Sequence, residues 1–413
     1  MMLKFQLPGF EDFDPVTEVL HCDKPGTGSK DAPAAFAKRL AQVTHGIGCV
    51  PVAGDNQLEQ LRVDNELVML IGKHVDDIKF TGHMQCLKKL IHVCEEAFGK
   101  LKINWFNFAN CGLKYAQDEK TFEVEVDQNH FALTLKPIPV AASVDENALV
   151  SPAGQHDFIS LLGADAYLAM TRVDVCVFIA ALQRFNSKPA SIHMKRLNAL
   201  LRWIQRNPKG LHYSHIEGDL ACLGLSDSAF KREDDSGHAM RGYLIGLSPC
   251  TTGHLITSLF HLIEWSSCKQ RHVCRSTFAA ELFSCNDCLD MMYVIAAALH
   301  ELTHGCQGAD VLRQIHLTGQ YACPLIVAID AYSIFSAIAM AHLKIPAEKS
   351  LLVQLQWLKE QLLTKKLKEL VWLDTRDMCS DGLTKSSVDR EALHLIMSGR
   401  LRICHENQVT PKP

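Results

Sequence analysis

No apolar run in this 413-residue sequence approaches the roughly 18–20 residues that a membrane-spanning helix needs; the longest unbroken one is Met291 to Leu299. No membrane partner is expected. The opening segment "MMLKFQLPGFEDFDP" lacks an apolar stretch of signal-peptide length and carries acids and prolines where one would lie, so nothing there directs secretion. Positive charge is short as well. With 42 Lys and Arg against 46 Asp and Glu, the formal net charge is −4, and only a local basic patch could grip a phosphate backbone. The 16 cysteines are scattered and follow no disulfide framework, so they read as reduced, mostly buried thiols. That expectation points to an intracellular compartment, with nucleus and cytoplasm equally open. Internal repeats and low-complexity tracts are also missing.

What is present is apolar content, 47% of residues, enough for two or three cores of ordinary domain size. From Asn65 to Gly82, "NELVMLIGKHVDDIKFTG" has the grammar of a hairpin, with Asp76 and Asp77 at its tip. Two adjacent carboxylates there could face a hard cation, but spacing alone favours turn-forming aspartates. Between Asp145 and His156 the chain turns small and polar, as a linker does. Helical periodicity then runs over Gly163 to Phe185 and over Ser191 to Asn207, predicting a helical hairpin. From Leu211 the pattern becomes that of an α/β domain with a mixed sheet. Strands are expected around Asp219–Asp227, Ala239–Ser248 and Leu255–Trp265, followed by a long helix over Ser276–His304. A buried strand ending at Asp330 passes straight into a helix. "SLLVQLQWLKEQLL" reads as helix, "LKELVWLD" as strand, and "RDMCSDGLTKSSVDREALHLIM" as one closing helix.

Four acids in this half stand at strand ends or helix starts: Asp227, Glu281, Asp330 and Asp381. Buried carboxylates are costly together unless a cation neutralises them, so their convergence would suggest a two-metal site. Spacing alone does not establish that they converge. The stretch "CKQRHVCR" places Lys269, Arg271 and Arg275 close together before the long helix, either as a phosphate-binding patch or as a solvated turn.

Taken together, a series of segments resembles the C-terminal part of a copia-type retrotransposon Pol polyprotein. In the first half these are "FQLPGFEDFDP", "GSKDAPAAFAKRL", "HVDDIKFTG", "CGLKY" and "YLAMTRVDV". In the second they are "GLSDSAF", "RGYLIGL", "IEWSSCKQ", "RSTFAAEL", "VAIDAYSIFSAI" and "SDGLTK". The resemblance implies an α+β and α/β chain in four parts. Residues 1–140 would form a truncated reverse-transcriptase palm, residues 141–210 a helical connection, residues 211–400 a ribonuclease-H-like domain with a mixed five-stranded sheet, and residues 401–413 a tail. It also implies that Asp227, Glu281, Asp330 and Asp381 hold two Mg²⁺ ions, or Mn²⁺, for hydrolysis of the RNA strand of RNA–DNA hybrids. Lys269, Arg271 and Arg275 would contact nucleic acid, and the remainder of a polyprotein would be a partner. Asp76 and Asp77 match the paired polymerase acids. The third acid of that site lies upstream of the family's Q-P-x-G-F segment, so polymerase activity is not expected of this chain. Departures from the family include His74 for Tyr and Ala331 for Asn. They leave open a second reading, a non-catalytic remnant that binds nucleic acid or protein.

A different chemistry is suggested by His300-Glu301-Leu302-Thr303-His304, which matches the zinc-protease pattern H-E-x-x-H. No third histidine follows in the extended frame of that class. The favoured expectation is a helix end with polar residues facing solvent. Cys285 and Cys288 are helical neighbours without a second cysteine pair at zinc-finger spacing.

Overall fold

The computed structural model describes residues 14, 16–18, 30–140, 145–230, 238–250, 253–340, 346 and 348–410. The "FQLPGFEDFDP" segment therefore lies almost wholly outside the described residues. The chain is mixed α/β with several sheets, and two compact units divide near Leu101. The second holds Lys102–Pro413 and two short segments, Pro51–Asn56 and Val63–Leu67.

In the first unit the expected hairpin is present. Glu66–His74 pairs antiparallel with Asp77–Gly82, His74 opposite Asp77, within a four-stranded sheet. Burial alternates along Glu66–His74, putting Met69 and Ile71 into the core. Leu87, Leu90 and Cys94 recur at helical spacing along Met84–Phe98 and form one buried face over that core.

In the second unit, four antiparallel strands (Asn107–Asn110, Leu113–Gln117, Val124–Asp127 and Gly210–Tyr213) adjoin three helices, Pro152–Leu168, Cys176–Gln183 and Ser191–Arg206. The polar stretch expected as a linker thus already holds the start of the helix Pro152–Leu168, capped by Ser151. The single helix expected from Gly163 to Phe185 is broken. It stops at Leu168 and resumes at Cys176 after a 3-10 turn, Val173–Val175. Arg172 explains the break: its Nε and Nη2 each donate to an Asp174 carboxylate oxygen at 3.0 Å. Residues two apart on an α-helix do not face each other, so this buried pair requires a non-helical backbone.

Among the described residues the main sheet has six strands, in the order His261–Lys269, Met240–Pro249, Leu220–Ala229, Leu325–Ile329, Glu369–Trp372, Gln408–Val409. The first three are antiparallel. Leu325–Ile329 runs parallel to both its neighbours, and Gln408–Val409 closes the edge antiparallel. Five strands were expected; the sixth comes from the segment assigned to a tail, where Asn407 also binds the Leu255 backbone and anchors the chain. Leu325–Ile329 is buried throughout because helices cover both faces of a central parallel strand, hence its unbroken apolar run.

The long helix Thr277–His304 packs Leu282, Cys285, Leu289, Met292 and Ala296 into the core on one side of this sheet. By length and apolar composition it could cross a membrane, although its unbroken apolar runs are short; half of its most apolar stretch is buried inside the protein. Leu225, Leu244, Phe260 and Leu383 belong to the second core. The one closing helix expected from the sequence is three short pieces, Thr375–Asp377, Asp381–Thr384 and Glu391–Met397. Arg390 interrupts it by donating to the backbone carbonyls of Gly382 and Lys385, groups that a continuous helix would use internally.

Candidate metal centre

Strand pairing brings the first two acids together. Leu325–Ile329 lies parallel beside Leu220–Ala229 with Ile329 opposite Ser226, so the next residue on each strand, Asp330 and Asp227, are neighbours. The long helix approaches closely because Gly224 has no side chain; a Cβ there would lie 2.6 Å from Met292 Sδ and 2.7 Å from Cys288 Sγ. Ser284 then pins helix to strand by donating to the Asp227 carbonyl at 2.8 Å. That leaves Glu281, one turn earlier, close to the acids. Asp381 arrives on the short turn Asp381–Thr384, where the Thr384 hydroxyl donates to Asp227 Oδ2.

Asp227, Asp330 and Asp381 each offer a carboxylate oxygen, and these oxygens all lie within 4.8 Å of one another. Glu281 is outside that group yet feels it. Burial, then the charges of Asp227 and Asp330, push its carboxyl up to about 10. Asp381 is pushed up to about 7 by burial and by Asp227, and Asp330 is raised by burial and Asp227. Glu281, Asp330 and Asp381 thus resist ionising beside Asp227, and the site is short of positive charge. Lys385 supplies some: its Nζ lies 2.6 Å from Asp381 Oδ1 and 3.4 Å from Asp227 Oδ1. An all-oxygen donor set of this kind suits a hard divalent cation.

Several residues of this site were not singled out from the sequence. Thr384, Lys385 and Gln270 lie in segments that carry the resemblance, and Ser284 lies just past one. Gln270 donates to the Ala280 carbonyl at 2.6 Å and the Ser228 hydroxyl at 3.4 Å, next in sequence to Glu281 and Asp227. Gln270 thereby ties down the loop bearing Lys269, Arg271 and Arg275, all exposed. Beyond Lys385, Ser386, Asp389, Arg390 and Glu391 line a cavity of about 1090 Å³ with Phe178, Trp203 and Arg196. Its two arginines and two acids cancel, so it adds no net phosphate-attracting charge.

Asp76 and Asp77 sit at the hairpin tip, both exposed, next to Val75 at φ 53°. Positive φ is costly for a β-branched residue, so this tip is strained. Among the described residues no third acid, His or Cys joins them in a metal-binding group.

The H-E-x-x-H segment ends the long helix, and the expectation of a solvent-facing end is corrected for two of its residues: His300 is 8% exposed and Glu301 1%. The Glu301 carboxylate accepts the Gln307 amide at 3.2 Å, serving the chain that leaves the helix. His300 and His304 meet ring to ring at 4.5 Å, and no metal-binding trio forms around them among the described residues. Cys285 and Cys288 are fully buried and their thiols are raised by burial, Cys285 to about 12. Every cysteine among the described residues is a free thiol.

No family model matches the chain. It is 26% identical over 396 residues to the retrovirus-related Pol polyprotein from transposon RE1 of Arabidopsis thaliana, an alignment covering 92% of this chain. It is 25% identical over 393 residues to the corresponding polyprotein from transposon RE2 of the same plant, again over 92% of the chain. The chain spans about a quarter of the length of these curated relatives, 25% of each. The Pol resemblance drawn from the sequence is therefore borne out: nearly all of this chain is similar to part of a retrovirus-related transposon Pol polyprotein.

Proposed function

We propose that the chain is a fragment of the reverse-transcriptase and ribonuclease H region of such a polyprotein, and that its second unit hydrolyses the RNA strand of RNA–DNA hybrids. The observation that carries the reading is the meeting of the Asp227, Asp330 and Asp381 carboxylates within 4.8 Å. These three, with Glu281, would hold Mg²⁺ or Mn²⁺. Two such ions supply an activated water and stabilise the leaving oxygen of a phosphodiester. The protein's share is positioning. Thr384 orients Asp227, Ser284 fixes the helix that carries Glu281, and burial shields Asp227, Glu281 and Asp381 from bulk water. The exposed Lys269, Arg271 and Arg275 offer phosphate contacts at the loop tied down by Gln270, and a hybrid would be read by backbone shape and 2′-hydroxyls. Asp76 and Asp77 alone do not make a polymerase site, and the remainder of a polyprotein is the natural partner.

The test is cleavage of a hybrid with labelled RNA by the full chain in Mg²⁺. Cleavage lost on chelation and in Asp330→Asn supports the reading. Cleavage that persists in Asp330→Asn, or none by the wild type, overturns it. Template-dependent nucleotide incorporation would overturn the polymerase part.

A further inference from the structure

Lys385 lies where a cation is wanted. Its ammonium sits 2.6 Å from Asp381 Oδ1 and 3.4 Å from Asp227 Oδ1, spanning two of the three clustered carboxylates. Its main chain is fixed, since Arg390 Nη2 donates to the Lys385 carbonyl at 2.7 Å and the Lys385 amide donates to the Asp381 carbonyl at 2.9 Å. Its side chain is one-third exposed, so the flexible four-carbon stem has a path to solvent. Asp227 and Asp381, which the ammonium engages, are two of the three acids that would hold a divalent ion.

We propose that Lys385 is a tethered counterion: its ammonium holds the acids together in the metal-free protein and competes with the divalent cation, which binds only as the side chain swings out. This rests on the metal-centre reading above. Four acids are held in a fold that needs no metal to close, and the cost is a weakened metal affinity. Once displaced, the ammonium stands beside the site, where a phosphate strand offers it a new partner. Strand and metal would then favour each other's binding, as linkage requires when both draw on one displaced side chain.

The experiment is calorimetric titration of the full chain with Mn²⁺, comparing wild type, Lys385→Gln and Lys385→Arg. Removing the competing positive charge should tighten Mn²⁺ binding at least about tenfold in Lys385→Gln, while Lys385→Arg stays near wild type. In the wild type, acetylation of Lys385, mapped by mass spectrometry, should rise when Mn²⁺ is added; this needs no variant to fold. Equal affinities in wild type and Lys385→Gln, weaker binding by Lys385→Gln, or Lys385 acetylation unmoved by Mn²⁺ would overturn the tethered counterion while leaving the metal centre standing. Absence of Mn²⁺ binding by all three proteins would overturn both.

Discussion

Gly242 lies directly opposite Asp227 across the antiparallel ladder, and its missing side chain is the space that the Asp381–Thr384 turn occupies. A Cβ on Gly242 would stand 2.7 Å from Leu383 Cβ and 2.8 Å from Thr384 Cγ2. The turn would have to lift, taking Thr384 away from Asp227 and Asp381 away from the other acids. Gly242→Ala should therefore cost about 1–3 kcal/mol, read as a lower urea midpoint, and should weaken divalent-metal binding more than a general loss of stability explains. Unchanged stability and metal affinity would show that the turn yields without moving the acid.

The segment "TRVDV" has a structural explanation that its resemblance to a family motif does not supply. Arg172 is 1% exposed; besides Asp174 it donates to the Asn207 carbonyl at 2.9 Å and lies over the Trp203 ring. Asp174 also meets His394 Nε2 at 3.1 Å, so one carboxylate joins the helical connection to the closing helix. Burial pushes the Asp174 carboxyl up, but the bonds from His394 and Arg172 prevail and hold it below the ordinary 3.8. Its stabilising share is therefore present above pH 3.8 and lost as pH falls through the lower folded value. Asp174→Asn should cost about 3–5 kcal/mol near neutrality, because it leaves a buried guanidinium without its counter-charge. Comparing urea midpoints at pH 7 and pH 3 tests this, since the difference between the two proteins should shrink in acid.

Much of this architecture was legible because local pattern and tertiary role coincide. The hairpin over Asn65–Gly82, the helix opening at Ser276 and the buried strand before Asp330 each announce themselves by period or by cap. What was hidden depended on distant partners. The break at Arg172 comes from a buried ion pair, the division of the closing helix from Arg390 reaching back to Gly382, and the sixth strand, only Gln408–Val409, is too short to show any period. The four acids could be named from the resemblance, but the roles of Thr384 and Lys385 could not. Their hydroxyl and ammonium matter only because Asp227, over 150 positions earlier, is folded against them.

Metal binding should depend on pH in a direction fixed by the acids. Burial and like charge push Asp381 up to about 7 and Glu281 up to about 10, so the metal-free site carries protons near neutrality that a cation must expel. Mn²⁺ affinity should rise with pH from about 6 to 9, with net proton release on binding. Glu281→Gln should remove the upper part of that rise. Calorimetry in buffers of different ionisation enthalpy counts the protons released; a pH-independent affinity would mean that the cation does not meet these carboxylates.

Asp165 provides a pH dependence away from the metal centre. It is 0% exposed within Pro152–Leu168, among Phe158, Leu161 and Leu162 of the same helix core, and neither carboxylate oxygen has a hydrogen-bond partner. Burial pushes its carboxyl up to about 7 from the ordinary 3.8, so folding at neutral pH takes up a proton that the unfolded chain has released. The sign follows: its penalty is absent below pH 3.8 and grows to its full value as pH rises through about 7, amounting to roughly 4 kcal/mol from that difference. Asp165→Asn cannot ionise and escapes this term, though its unpartnered amide costs about 1–3 kcal/mol of its own. The variant should be no more stable than wild type at pH 5 and more stable at pH 8. Urea unfolding of both proteins across this range decides it, since parallel pH profiles would mean that Asp165 stays ionised, with solvent reaching it inside the fold.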